Sequence, residues 1–261
     1  MDNEPFTMSG SSSVNVMILT GCTNSQQANN IKDKPLTHSQ INEIIAATNE
    51  GLIKDIDFSK VTKPDPAQQA EINQKMRNLG EKLKGKVTIE NTNIVVARVN
   101  GEAVTAADWY YEKTWEAGKA ENKNEPAPSN EEIFNNLLKV KVVSSTARKL
   151  GLYPPDEQIN AYMADQRKYM EKLRPEEITV LLKAWNISEE EYFLLMEDRF
   201  IDSLAKANWG IYLQKYGDLQ EDKQGYVVKS PLWVDDDKIM SLLEEPEVEV
   251  TAEGRQVGIT Y

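Results

Sequence analysis

Apolar and polar residues recur along the chain with the period of a helix over most of its length and with that of a strand over short stretches. The clearest strand is residues 94–99, where most side chains are β-branched. Asn100-Gly101 follows, a dipeptide that tolerates the positive φ angles of a type I′ turn. Thr105 precedes Asp108 by three residues and so forms a capping box for an amphipathic helix. The pattern predicts a strand, a turn and a helix in succession.

Further helices are predicted up to residue 216 by capping residues, helix breakers and apolar repeats. Capping residues supply hydrogen bonds to the free backbone groups at a helix end, and proline interrupts the helical hydrogen bonds. In chain order, they are a box at Ser129 and Glu132, a left-handed end at Gly151, a start at Pro154-Pro155-Asp156, a break and restart at Pro175, a box at Ser188 and Glu191, and an end at Gly217.

The region before residue 94 predicts two helices and a strand. A box at Thr37 and Gln40 opens a short helix that Gly51 closes, and Asp65-Pro66 opens a second one that ends before Gly85. Residues 87–89 alternate between apolar and polar side chains, which predicts a strand pairing with residues 94–99.

The last 45 residues predict a small acidic segment with mixed structure. We expect a strand at residues 226–229, a helix at residues 236–243, and a β-hairpin formed by residues 247–251 and 256–261 with Gly254 in its turn. The fold class predicted for the whole chain is mainly α, with a few short strands and this C-terminal hairpin.

Composition and charge exclude some classes of partner. The 261 residues are 40% hydrophobic and 28% charged, which is ordinary for a soluble globular protein, and no run of 18 apolar residues could cross a membrane. The net charge is −12, of which −7 falls in residues 217–261. Nucleic acid is not expected as a partner, because phosphate binding requires clustered Lys and Arg.

Catalytic and cofactor motifs are not found in the sequence. His38 is the only histidine and Cys22 the only cysteine, so neither a catalytic triad nor a disulfide can be assembled from them. No glycine-rich phosphate loop occurs, and the acidic triplets at residues 189–191 and 235–237 are explained by helix N-termini. We expect no cofactor, no metal and no enzymatic activity.

The order of several short motifs resembles the N-terminal chaperone domain of the SurA and PrsA families. The similarity covers roughly residues 95–216. It is carried by V-N-G-E-x-V-T from Val99 to Thr105, A-x-x-x-G-L at Ala147, Gly151 and Leu152, D-E-x-I at Asp156, Glu157 and Ile159, and S-x-E-E-Y at Ser188, Glu190, Glu191 and Tyr192.

The resemblance implies an ATP-independent holdase that binds unfolded or exported polypeptides outside the cytoplasm. Members of these families usually also carry a parvulin prolyl isomerase domain, whose site uses paired histidines. His38 alone cannot supply them, so isomerase activity is not expected. A second interpretation stays open, in which the same helical fold serves an envelope structural or adaptor protein with one specific partner.

Leu19-Thr20-Gly21-Cys22 resembles a bacterial lipobox, and residues 23–30 after it are a polar tether. The resemblance implies a diacylglyceryl anchor on Cys22 and a location on the outer face of the cytoplasmic membrane. Asp2 and Glu4 precede it without any Lys or Arg, unlike a secretory signal. Two alternatives stay open: the start of the chain is misassigned, or the motif is a coincidence and the protein is cytoplasmic.

Aromatic and methionine side chains are the candidate substrate-binding residues, because they adapt to varied apolar partners. Tyr111 and Trp115 share the core-facing side of their helix with Ala107, so Trp109 and Tyr110 are expected to point elsewhere. The candidates are Trp109, Tyr110, Tyr162, Met163, Tyr169 and Met170. The alternative for each is a place in the core.

These features divide the chain into four parts. They are a lipobox-like segment and tether at residues 1–36, a helical extension at residues 37–85, the chaperone-like domain at residues 86–216, and the acidic segment at residues 217–261.

Overall fold

The computed structural model describes residues 36–52, 64–173, 175–216 and 245–261. Over these ranges the chain is mainly helical with one small antiparallel sheet, as predicted. The elements are α1 (His38–Leu52), α2 (Pro66–Leu83), a 3₁₀ turn (Glu90–Asn93), β1 (Val95–Val99), β2 (Glu102–Thr105), α3 (Ala106–Lys123), α4 (Asn130–Lys149), α5 (Asp156–Leu173), α6 (Pro175–Trp185), α7 (Glu189–Tyr216), β3 (Val248–Val250) and α8 (Ala252–Gln256).

Within the described ranges the predicted helix starts are confirmed, and each predicted capping box there closes with reciprocal hydrogen bonds. Thr105 Oγ1 accepts from the Asp108 amide at 3.1 Å, and the Thr105 amide donates to Asp108 Oδ2 at 3.0 Å. The same exchange occurs at Thr37–Gln40, Asp65–Gln68, Ser129–Glu132 and Ser188–Glu191. These bonds satisfy amides that the first turn of a helix leaves without partners.

The sheet has the strand order β2-β1-β3, and all its pairs are antiparallel. Asn100 and Gly101 have φ angles of 50° and 86°, so the turn joining β1 and β2 uses the positive φ values that its sequence predicts. Residues 102–105 form a strand of their own before α3, which the sequence pattern did not predict. Val99 pairs with Glu102 on one side and with Val248 on the other.

The strand predicted at residues 87–89 is wrong. This stretch is a turn that enters the 3₁₀ turn, and both edges of β1 are taken by β2 and β3. Val87 is buried there, and its carbonyl accepts a hydrogen bond from Trp185 Nε1 at 3.0 Å. Packing against α6 therefore replaces the predicted strand pairing.

The predicted C-terminal hairpin is half right. Residues 248–250 are a strand, but they pair with β1, and residues 252–256 form α8 where the return turn was expected. Thr251 caps α8 and donates from Oγ1 to the carbonyl of Val95 at 2.9 Å. β3 therefore pairs with the edge of β1 that β2 does not occupy. The elements predicted at residues 226–229 and 236–243, Gly217 and the whole lipobox with Cys22 lie outside the described residues.

Two clusters of buried apolar side chains in the described ranges bear on the site. The first, which we call the sheet core, lies between the sheet, α3, α4 and the C-terminal residues. It consists of Val96, Ala97, Val99, Val104, Ala106, Trp109, Ile133, Phe134, Leu137, Leu138, Val142 and Ile259.

The second cluster, the helical core, lies between α2, α3, α5, α6 and α7. Its buried members are Leu83, Val87, Ala107, Met170, Ile178, Leu181, Trp185, Tyr192, Phe193, Leu195 and Met196. Partly buried side chains pack around it, namely Met76, Leu79, Tyr110, Tyr111, Met163, Leu182, Ile187 and Phe200.

Polar contacts hold the long helix α7 to its neighbours. Lys141 of α4 and Asp202 of α7 form a largely buried ion pair at 2.7 Å, and the Ser144 hydroxyl donates to the same carboxylate at 2.6 Å. Deeper in the fold, Asn208 and Gln158 exchange two side-chain hydrogen bonds.

Helix α2 packs along α6, so contacts of the main domain extend to residues before 86. Among the helices of the described ranges, none combines the length and apolarity that a membrane-spanning segment requires.

Candidate functional site

The prediction that Trp109 points away from the core is wrong. Its side chain is 0% exposed and belongs to the sheet core. The reason is that α3 is covered on two sides, by the sheet and α4 on one and by α2 and α7 on the other. Trp109 is therefore not accessible to a bound polypeptide in this structure.

The other candidates lie on the opposite side of α3 or along α5. Met163 and Met170 pack in the helical core, and half-buried Tyr110 contacts both cores. Tyr162 is half-buried and packs edge-on against Phe200, with 5.9 Å between the ring centroids. Tyr169 is also half-buried but belongs to neither core. The structure thus brings Tyr110, Met163 and Met170 into one cluster and leaves Trp109 in the other.

A series of aromatic rings runs through the helical core. The contacts, with centroid distances between 5.5 and 6.4 Å, join Tyr111 to Trp115 and Trp185, Trp185 to Tyr192, Tyr192 to Phe193, and Phe193 to Phe200. The rings of Trp185, Tyr192 and Phe193 in this series are buried, whereas those of Tyr111, Trp115 and Phe200 are partly exposed.

Arg199 of α7 links this cluster to a group of acidic residues. Its guanidinium lies 4.2 Å from the ring centroid of Tyr111 and pairs with Glu112 at 3.2 Å. It also donates to the backbone carbonyl of Asp108 at 3.2 Å. Burial opposes the charge, but the nearby carboxylates outweigh it and raise the pKa of Arg199.

An open cleft of about 280 Å³ lies between the 3₁₀ turn, the start of α3 and the second and third turns of α7. We call it the α3–α7 cleft. It is lined by Ile89, Thr92, Thr105, Ala107, Asp108, Leu194, Leu195, Glu197 and Asp198. Ala107 and Leu195 also belong to the helical core, so the cleft borders that core.

The polar part of the α3–α7 cleft is acidic. Asp108 is buried and already accepts hydrogen bonds from the amide and hydroxyl of Thr105. Glu197 and Asp198 lie on the exposed side of α7 and line the cleft beside Leu194. Although Asp198 as a residue is exposed, protein atoms surround much of its carboxyl group, and this desolvation is the main cause that raises its pKa. Lys141 opposes the rise, and the carboxylates of Asp108 and Asp202 add to it.

The apolar part of the same cleft is unusually exposed. Of the residues that line it, Leu194 is 59% and Ile89 36% accessible to solvent. Ile94 follows the 3₁₀ turn and is 40% accessible, but it does not line the cleft. In the described ranges, the other exposed large apolar side chains are Val140 and Tyr261. Exposed apolar side chains collected around one cleft mark a binding surface more often than scattered ones do.

Sequence reasoning missed this cleft. Its residues come from three separate segments, and no local pattern places the 3₁₀ turn beside α7. One signal was present: Leu194 is a large apolar residue out of phase with Phe193, Met196 and Phe200, which line the core-facing side of α7.

Comparison with protein-family models, with curated proteins and with solved structures gave no match for this chain. Nor do the described residues contain a group of three or more His, Cys, Asp or Glu side chains placed to hold a metal ion. Inferences about function therefore rest on the α3–α7 cleft and on the aromatic and methionine side chains beside it.

Proposed function

We propose that this protein binds unfolded or extended polypeptide segments without ATP and without catalysing a reaction. The observation that carries the proposal is Leu194, 59% exposed at the mouth of a cleft that borders the aromatic and methionine cluster. Contact between an exposed leucine side chain and water is unfavourable in the free protein. A bound apolar segment would bury the side chain and remove this unfavourable contact. This function is also the one that the resemblance to SurA and PrsA chaperone domains implies.

The helical core supports the proposal through its composition. Met163 and Met170 lie near the half-buried rings of Tyr110 and Tyr111, and these flexible or flat side chains fit different apolar partners. A holdase must accept many clients, so an adaptable surface suits it better than a rigid pocket.

The location follows from the lipobox-like motif and stays part of the proposal. Acylation of Cys22 would tether the protein to the outer face of the cytoplasmic membrane, where exported chains emerge unfolded. Mass spectrometry of the protein from its native membrane tests this directly: a Cys22 carrying diacylglyceryl is expected, and an unmodified thiol would contradict the anchor.

The binding function is tested by suppression of aggregation. We expect the protein at stoichiometric ratio to suppress aggregation of several unrelated unfolded clients, and we expect Leu194→Ser to weaken this effect. Val140→Ser is the matched control, because Val140 is also exposed, at 39%, but lies on α4 away from the cleft.

Three outcomes would contradict the proposal or its place in the structure. If no client is protected, the protein is not a holdase, and protection of a single partner would favour the adaptor function. If Leu194→Ser and Val140→Ser reduce protection equally, polypeptide binding does not occur at the α3–α7 cleft.

A further inference from the structure

We propose that the α3–α7 cleft selects polypeptide segments in which a Lys or Arg side chain stands next to a large apolar one. This inference rests on the proposed function and adds the chemistry of the preferred segment.

Apolar and acidic groups meet within this one small cleft. Leu194 and Ile89 supply exposed apolar surface, and Glu197 and Asp198 supply exposed carboxylates beside it. No Lys or Arg is among the residues that line the cleft. A ligand that matches both parts must carry apolar surface and positive charge close together.

The nearby cations of the protein are already engaged. Lys141 is held by Asp202 at 2.7 Å, and Arg199 is held by Glu112 at 3.2 Å and by the carbonyl of Asp108. Turning either cation toward the cleft would leave a largely buried carboxylate without its partner, which is unfavourable. Among the described residues Lys141 acts on Asp198 through space, and a cation carried by a ligand can pair with Glu197 and Asp198 directly.

The charge balance around the cleft is negative. Among the described groups that act on Asp198 and Arg199, these two residues included, are two cations, Lys141 and Arg199, and five carboxylates, so the carboxylates outnumber the cations. The carboxylates are those of Asp108, Glu112, Glu197, Asp198 and Asp202. The whole chain has a net charge of −12, which also attracts basic segments over longer distances.

The size of the cleft fits a short segment. Its volume of about 280 Å³ is slightly below the roughly 300–1,000 Å³ of pockets that hold drug-sized ligands. Such a cleft has room for one long side chain and part of its neighbour. Lys and Arg can lay their aliphatic stems along Leu194 while the charged end reaches the carboxylates.

The test measures binding of short fluorescent peptides to the full chain by anisotropy. The first peptide has one arginine between two leucines in a glycine and serine background; the second replaces the arginine with glutamate, and the third replaces both leucines with serine. We expect the first peptide to bind about tenfold or more tightly than the second, because like charges in one interface repel, and more tightly than the third.

Variants then assign the preference to the cleft. Glu197→Gln combined with Asp198→Asn should remove most of the discrimination between the first and second peptides. Glu171→Gln is the control for loss of a surface carboxylate, because Glu171 is exposed on α5 and does not line the cleft. It should keep the discrimination intact.

The outcomes separate this inference from the proposed function. Equal binding of the arginine and glutamate peptides would overturn the charge selection and leave polypeptide binding standing. Discrimination that survives in the double variant would place the charge recognition elsewhere and overturn the assignment to the cleft. If none of the peptides binds and no client is protected from aggregation, both proposals fail.

Discussion

The sheet core and the helical core differ in how completely their side chains are enclosed. The sheet core consists mostly of aliphatic residues, and the C-terminal segment covers it, placing Ile259 inside with almost no exposure. The helical core is rich in aromatic rings and methionines, and eight partly buried side chains pack against it, compared with four around the sheet core. Under the proposed function, the sheet core is the scaffold and the helical core is the adaptable part beside the binding cleft.

The largest expected effect contrasts one truncation in each core. Ile259→Ala should destabilise the protein by about 4 kcal/mol, because it leaves a cavity in an enclosed core. Met163→Ala should cost only about 1 kcal/mol, since its partly exposed surroundings can collapse around the gap. Urea unfolding of both variants measures the difference. Equal losses would show that the two cores are enclosed to the same degree.

A second prediction concerns Gly254 in α8. A Cβ atom at this position would lie 2.0 Å from the carbonyl oxygen of Val96, so Gly254→Ala should push α8 off β1 and cost about 3 kcal/mol. Gly118→Ala in α3 is the control, because its Cβ would meet nothing within 4 Å; it should stabilise the helix by about 0.5–1 kcal/mol. Thermal unfolding that shifts equally in both variants would contradict the close contact.

A third prediction addresses the ion pair between the two regions. Asp202→Asn weakens the charge-assisted bonds to Lys141 and Ser144, which join α4 of the sheet core to α7 of the helical core. We expect a loss of about 2 kcal/mol in the free energy of unfolding. The result would be contradicted by a variant as stable as the wild type in urea.

The smallest expected effect on stability is at Asp198. Its raised pKa means that the folded state binds the proton more tightly than the unfolded chain does. Ionisation therefore destabilises the fold above the ordinary Asp pKa, and the penalty is absent below it. Asp198→Asn should raise the thermal midpoint slightly at neutral pH and leave it unchanged below about pH 3. A lower midpoint at neutral pH would contradict this sign.

Local signals in the sequence were sufficient to predict the helix starts. A capping box such as Ser129 with Glu132 depends only on residues three apart, and Gly151 takes its left-handed φ of 75° where the apolar repeat ends. Such signals predict helix ends well because the hydrogen bonds involved are between residues close in sequence and do not depend on tertiary packing.

Strand partners could not be predicted in the same way. Residues 87–89 and 257–261 have suitable alternation, but the edge of β1 is occupied by β3 from far along the chain. Pairing across such a distance depends on the tertiary fold, and strand preference follows context more than sequence.

The sequence predicted six aromatic and methionine binding residues, and none of them lines the α3–α7 cleft. Tyr110, Met163 and Met170 do lie together, whereas Trp109 is on the other side of α3. The assumption of one core-facing stripe fails for a helix covered on two sides. Glu197 and Asp198 were not singled out, because a surface acid has no local signal that distinguishes it.

Binding of a polypeptide at the α3–α7 cleft is tested most directly by site-specific crosslinking. A photoreactive amino acid would replace Leu194 in one variant and Val140 in another, and each would be irradiated with an unfolded client. We expect strong capture of the client at position 194 and little at position 140. Capture that is equal at both positions, or absent at position 194, would contradict binding at this cleft.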